Sequence, residues 1–336
     1  MDLIIKPTQR CNFSCSFCSS TEIANSNSVN DDLDVSKVIE FLDRFPQTNS
    51  IIVNGGDPLV VDPSFYFKII AEIRSRGLST VLHLCTNLWD YYQRPSKWRE
   101  LFHCEEVEVG TSFDFSERYI TKDRQLDVDT FLKILTSFKE DFGYTPSFVS
   151  VITKENSWRV LDLVRLAKSL GVECKLNYLH ASGRSKEIFT IGDMYNSYLD
   201  IYAEDLHLFE SNTKQMLKKL KTSEHTNCPS NRNCDEGIRN LQPMKNGYEY
   251  SSCGAFGDDL EYGIDFEREM AGEFFRPLQG DIELQYMKEE CLSCVNFNIC
   301  NGCFKTVKDT KKANLVDHSC KSMMRFRERV IEMGLM

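Results

Sequence analysis

The stretch Lys6-Pro7-Thr8-Gln9-Arg10-Cys11-Asn12-Phe13-Ser14-Cys15-Ser16-Phe17-Cys18 decides how the rest of the chain is read. It places three thiols within eight residues, directly after a short apolar strand expected at Leu3-Ile4-Ile5. Three thiolates from one loop can hold three irons of a cubane cluster, whereas a four-iron cluster ordinarily takes four cysteines. Supplying only three leaves one iron open to an outside ligand, the logic that separates catalytic from structural zinc sites. A zinc site or chance clustering is the alternative that this spacing alone leaves open.

The chain around this loop has 336 residues and 14 cysteines, with 50 acidic and 40 basic side chains and a net charge of -10. That length suggests two domains, each able to bury its own core. No run of about 18 apolar residues is present, so no membrane span is expected. Met1-Asp2-Leu3 opens onto neither a basic nor a long apolar stretch, so no secretory signal is expected and the location reads as cytoplasmic. A disulfide scaffold is disfavoured in a reducing compartment, which leaves metal or cluster ligation as the default for so many thiols. The acidic balance argues against a nucleic-acid partner.

The segment between the cysteine groups alternates strands and helices. Strands are expected at Ile51-Ile52-Val53, Ser79 to Leu84, Val107 to Ser112, Phe148 to Ile152 and Val172 to Leu179, after the first at Leu3. Asp34 can cap a helix carrying Val35, Val38, Ile39 and Leu42, and Asp62-Pro63 opens another that ends at Gly77. Helices are also expected over Asp129 to Phe142 and over Trp158 to Leu170, the latter closed by Gly171, with a connecting helix over Asp193 to Lys221. Six strands alternating with helices imply an α/β fold with a parallel sheet and right-handed crossovers. The pattern itself does not separate an open sheet from a curled, partial (β/α)6 TIM-like barrel.

The spacing Cys-x3-Cys-x2-Cys, with Phe17 before the last cysteine, resembles the radical SAM superfamily, and other segments align with that resemblance in order. Gly55-Gly56-Asp57-Pro58 resembles the Gly-Gly-Glu motif that receives the amino group of S-adenosylmethionine, with aspartate in place of glutamate. Taken singly it reads as a turn. Thr86-Asn87 and Ser112-x-Asp114 match positions that meet the ribose or the methionine carboxylate, and Val151 to Asn156 and Gly183-Arg184 match later strand exits. All lie at C-terminal strand ends, where parallel α/β folds put their sites. The resemblance implies a partial barrel over residues 1–190, with Cys11, Cys15 and Cys18 holding a [4Fe-4S] cluster. It also implies S-adenosylmethionine on the open iron, and a 5′-deoxyadenosyl radical that abstracts a hydrogen atom from substrate. Phe17 would pack near the adenine; a core aromatic is the plainer reading.

Cys228, Cys234, Cys253, Cys291, Cys294, Cys300, Cys303 and Cys320 crowd the last third. Eight thiols suit two four-cysteine clusters; zinc ribbons are the alternative that spacing leaves. Lys245 to Ser252 reads as a hairpin turn and strand carrying Cys253. The pattern resembles the SPASM extension of radical SAM enzymes. By that resemblance Cys228, Cys234, Cys253 and Cys303 ligate one auxiliary [4Fe-4S] cluster, and Cys291, Cys294, Cys300 and Cys320 another. Cys300-Asn301-Gly302-Cys303 has two residues between its cysteines where such families usually have three. The expected organisation is therefore 1–190 barrel, 191–227 helical connection and 228–336 auxiliary domain with a C-terminal helix, holding three [4Fe-4S] clusters in all.

Gly254 to Glu290 carries eleven acidic and three basic residues, either a docking face for a basic peptide or a solvated surface. Asp258 and Asp259 are candidate general bases there. Cys85, Cys104 and Cys174 fall outside the cluster sets and read first as buried small hydrophobes. Cys85, just before Thr86-Asn87, could also return a hydrogen atom to a substrate radical. His83, His103, His180, His207, His225 and His318 form no ligand pattern with one another.

By resemblance the expected substrate is a peptide or protein side chain, modified by cross-linking, oxidation or epimerisation, with a reducing partner such as a flavodoxin or ferredoxin. With Cys11 ten residues from the start, no room is expected for an N-terminal leader-recognition domain. The alternatives are radical chemistry on a small carbohydrate or nucleoside, or a non-enzymatic iron–sulfur electron carrier or zinc protein.

Overall fold

The structure is a computed structural model, which describes residues 1–27, 29, 31–179, 189–222, 237–252, 263–273, 293–296, 310–311 and 313–336. Arg184, Asp258, Asp259, Cys228, Cys234, Cys253, Cys291, Cys300 and Cys303 lie outside the described residues, as do Gly183, His180 and His225.

In chain order the elements are β1 (Asp2–Ile5), α1 (Ser19–Asn27), α2 (Val35–Arg44), β2 (Ser50–Val53), α3 (Ser64–Ser75), β3 (Val81–Cys85), α4 (Trp89–Gln93) and α5 (Pro95–Phe102). They continue with β4 (Val107–Ser112), β5 (Tyr119–Thr121), β6 (Arg124–Gln125), α6 (Val128–Phe142), β7 (Phe148–Ile152), α7 (Val160–Leu170) and β8 (Cys174–Tyr178). The last are α8 (Ile191–Ala203), α9 (Ser211–Thr222), β9 (Ile238–Met244), β10 (Gly247–Ser251), α10 (Phe266–Met270) and α11 (Val316–Glu332). All six strands expected of the barrel are present, and the chain divides into two compact units. One is Met1–Ser147 with Asp235–Pro277; the other is Phe148–Cys234 with Leu278–Met336.

In the first unit the strand order is β10-β9-β1-β2-β3-β4, parallel except that β10 runs antiparallel to β9. Helices cross between successive parallel strands, as this connectivity demands. Asp34 caps α2 by accepting from Ser36 N at 2.9 Å, and Asp62 accepts from Ser64 N at 3.0 Å at the start of α3. One face of the sheet is apolar and buried: Leu3, Ile5, Ile51, Val53, Leu82, Leu84 and Val109. The other face mixes Ile4, Ile52 and Ile238 with polar residues, several of them in cross-strand pairs. Ser50 donates to Asp2 at 2.7 Å, His83 Nδ1 lies 3.0 Å from Glu108, and Gln242 donates to Glu249 at 2.7 Å. Cys85 pairs with Gly110 in register and shares that face.

The Lys245–Ser252 hairpin forms as the Asn-Gly signal indicates, with Gly247 at φ 120°. What the pattern does not reveal is β9 itself, which lies parallel to β1 with Asp2 opposite Ile238 and Ile5 opposite Leu241. Its alternating polar residues and Pro243 read as an edge or a loop, yet Asn240 and Gln242 are buried.

In the second unit β7 and β8 pair in parallel from Phe148↔Cys174 to Ile152↔Tyr178. The connecting helix expected over Asp193–Lys221 is two helices. The chain turns at Asp205, in the left-handed region at φ 51°, and restarts at Glu210. The buried Glu210 carboxylate accepts from Asn212 N at 3.1 Å, Thr213 N at 2.6 Å and Leu176 N at 3.1 Å, so it caps α9 and ties it to β8. The apolar pattern reports neither feature, because both come from single polar residues. α8 packs on α11 through Tyr195 stacked on Phe326 at 4.7 Å, and Gly192 gives Ser322 the room to approach. Among the described residues no helix is long and apolar enough to cross a membrane. Phe326→Ala should cost about 3–5 kcal/mol of stability, read as a lowered midpoint in denaturant unfolding; an unchanged midpoint would contradict the packing of α11 on α8.

Candidate cluster and cofactor site

The site is built where β1, β2, β3 and β4 end in the first unit. After β1 the chain runs through Thr8-Gln9-Arg10 into the cysteine loop, and after β2 through Gly55-Gly56-Asp57. These two segments lie against each other: Gly56 N donates to Thr8 O and Asp57 N to Arg10 O, both at 2.9 Å. Only glycine permits the approach. Gly55 has φ 122°, and a Cβ there would stand 2.7 Å from Thr8 O. At Gly56 a Cβ would overlap the backbone of Arg10 outright. The glycine pair therefore sets the height and direction at which Cys11 leaves the strand.

Asp57 continues this clasp sideways. Its carboxylate is buried and accepts from Leu59 N (2.9 Å), Thr86 Oγ1 (2.9 Å) and Asn87 N (2.8 Å). Burial pushes Asp57 up to about 6, although these donors pull it the other way. Asn87 then donates through Nδ2 to Asn12 Oδ1 at 2.7 Å, next to Cys11. A closed path thus runs from the cysteine loop through the β2 exit to the β3 exit and back.

The three thiols sit within mutual electrostatic reach. Burial raises Cys11 far above the ordinary thiol value, with Asp57, Cys15 and Cys18 adding to the effect. Burial likewise pushes Cys15 up to about 11, against the pull of Arg118. Two backbone donors already point at sulfur: Phe13 N to Cys11 Sγ at 3.3 Å, and Thr21 N in the first turn of α1 to Cys18 Sγ at 3.4 Å. Among the described residues no three His, Cys, Asp or Glu side chains converge on one ion position.

Arg118 is the residue that sequence reasoning missed. Ser14 N donates to Tyr119 O at 2.8 Å and Ser16 N to Glu117 O at 3.1 Å, so Cys15 stands directly opposite Arg118. Arg118 is buried, its guanidinium carbon 5.4 Å from the centre of the Phe17 ring. Arg118 Nε lies 2.8 Å from Asp114 Oδ2, close enough for an ion pair, but neither atom is aligned for a hydrogen bond. Burial works against the Arg118 charge; Asp114, then Cys15 and Cys85, outweigh it and hold the guanidinium charged. The available signal was Arg118 four residues after Asp114, a spacing with no meaning until the loop is folded.

Among the other residues singled out from sequence, Pro58 begins a short turn of helix capped by Asp57. Thr86, Asn87, Ser112 and Asp114 are buried at the strand ends, and Phe17 is half-buried. Cys85 is half-buried beside Arg118. Cys104 and Cys174 lie elsewhere, the latter buried on β8. Cys294 and Cys320 are exposed in the second unit.

The chain belongs to the Radical SAM superfamily, whose family model matches residues 5–189. No curated protein matches it in sequence. Among solved structures it is similar to hexahistidine-tagged anSMEcpe with bound AdoMet, at TM-score 0.73 and 16% identity over 99% of this chain and 98% of that one. It is also similar to native anSMEcpe with bound AdoMet and Cp18Cys peptide, at TM-score 0.66 and 14% identity over 98% and 99%. Streptococcus suis SuiB bound to S-adenosylmethionine matches at TM-score 0.58 and 17% identity over 90% and 73%. At these identities the likeness is one of fold. Membership of the superfamily implies one [4Fe-4S] cluster and S-adenosylmethionine. The residues present suit an anionic cluster: three neighbouring thiols, backbone N–H donors at Cys11, Cys18 and Cys15, and a buried guanidinium within electrostatic reach of Cys15.

In the metal-free protein the Asp57 contribution to stability should be complete below its unfolded value near 3.8 and be lost as pH rises through about 6. Asp57→Asn should flatten that portion of the stability curve. An identical pH dependence in wild type and variant would contradict the buried-carboxylate geometry.

Proposed function

We propose that this chain is a radical SAM enzyme with a SPASM-type extension, acting on a peptide or protein side chain. The observation that carries the peptide reading is the extent of the fold likeness. It runs past residue 189, where the family model stops, over nearly the full length of structures that hold AdoMet and a peptide. In this reading Cys11, Cys15 and Cys18 ligate the catalytic cluster, and the two sets of four C-terminal cysteines ligate auxiliary ones.

The second unit supports a shared cluster for Cys294 and Cys320. Asn296 donates to Met324 Sδ at 2.9 Å, and Arg327 donates to Asn296 Oδ1 at 3.1 Å. Met324 and Arg327 follow Cys320 by four and seven residues on α11, on one helix face. The Cys294 loop is therefore held against the face that bears Cys320.

When bound, the cluster and S-adenosylmethionine supply one-electron chemistry that ends in hydrogen-atom abstraction. The chain contributes the enclosure. In this reading Thr86, Asn87, Ser112 and Asp114 orient the cofactor, and the sheet face bearing Cys85 faces the substrate. Cys85 would return a hydrogen atom, and a flavodoxin or ferredoxin would deliver the electron.

About twelve irons per chain are expected after anaerobic reconstitution, matching three four-iron clusters; zinc in their place would remove the auxiliary assignment. Incubation with dithionite, S-adenosylmethionine and peptides deuterated at side-chain carbons should move deuterium into 5′-deoxyadenosine. Deuterium taken from a sugar or nucleoside library and none from peptides would overturn the substrate reading.

A further inference from the structure

We propose that Arg118 is a positioning residue for charge: opposite Cys15, it compensates the negative cluster held by the N-terminal loop and raises the potential at which that cluster is reduced. The inference rests on the reading that Cys11, Cys15 and Cys18 ligate the cluster, and the measurement below separates the two.

Three geometric facts carry it. The backbone hydrogen bonds Ser14 N to Tyr119 O and Ser16 N to Glu117 O bracket Cys15 and Arg118 as an opposed pair. Their side chains lie within electrostatic reach of each other. The guanidinium is held there by the Phe17 ring and by Asp114, which also accepts from Glu117 N at 2.9 Å. Finally, Arg118 is buried and paired with Asp114, Nε lying 2.8 Å from Oδ2, so its charge sits in a low-dielectric setting beside the loop.

The consequence is electrostatic. Reduction brings one electron onto the cluster, with no bond formed and no proton taken up. A fixed positive charge in a low-dielectric site stabilises the more negative state, and charge and burial around an iron–sulfur cluster set its potential. The Asp114 carboxylate, paired with Arg118, tempers the effect. The pair therefore offers two substitutions of opposite sign: loss of the cation should make reduction harder, and loss of the anion should make it easier.

The test is a redox titration of the reconstituted protein with dithionite, followed by electron paramagnetic resonance in the absence of S-adenosylmethionine. The relevant signal is the one that Cys15→Ala removes; if Cys15→Ala removes none, the ligand reading itself is overturned. Arg118→Gln should lower the reduced-to-oxidised ratio at fixed poise about tenfold, which is about 59 mV for a one-electron couple. Arg118→Lys should restore most of it, and Asp114→Asn should shift the ratio in the opposite direction. Unchanged ratios in Arg118→Gln and Asp114→Asn would overturn the proposal, including the case in which Arg118→Gln only weakens binding of S-adenosylmethionine. Should Arg118→Gln fail to hold the cluster, the sign of the shift in Asp114→Asn decides alone.

Discussion

The close approach of two backbone segments, Thr8-Gln9-Arg10 and Gly55-Gly56-Asp57, governs everything else at the site. Parallel strands end at similar heights but leave their loops free to diverge; here two hydrogen bonds of 2.9 Å join the loops of β1 and β2 into a single rim. Any side chain at Gly56 would occupy the Arg10 backbone. The motif is thus a packing requirement in its own right. Asp57 extends the rim to Thr86 and Asn87, so one buried carboxylate fixes the relative positions of three strand exits.

Electrostatics sets the second constraint. Burying three thiols side by side favours their protonated forms, as the raised values of Cys11 and Cys15 express. The fold meets this cost with backbone N–H groups at the sulfurs, Tyr119 N among them, and with Arg118 opposite Cys15. Asp114 keeps that arginine charged in a place where burial alone would disfavour it. The three thiols, the arginine and its carboxylate partner thus come from one short loop and the segment following β4.

Much of this was legible in the sequence because it depends on local pattern. The apolar runs fixed β1 to β4, β7 and β8 to within two residues, and Gly171 closes α7 as its type implies. The cysteine spacing and the glycine pair pointed to two segments that the fold brings together. The missing parts are long-range. β9 pairs with β1 across more than two hundred residues, and its polar alternation gives no hint of burial. Arg118 acquires meaning only when two backbone hydrogen bonds bring it opposite Cys15. That the Asp57 carboxylate also receives Thr86, Asn87 and Leu59 depends on the folded strand ends and has no local signal.

The most direct measurement is the electron paramagnetic resonance spectrum of the reduced, reconstituted protein before and after addition of S-adenosylmethionine. A three-cysteine cluster with an open iron at Cys11, Cys15 and Cys18 should give a signal that changes shape when the cofactor is added, and Cys15→Ala should abolish that responsive component. A spectrum that ignores S-adenosylmethionine, or a responsive signal that survives Cys15→Ala, would contradict the site described for this loop.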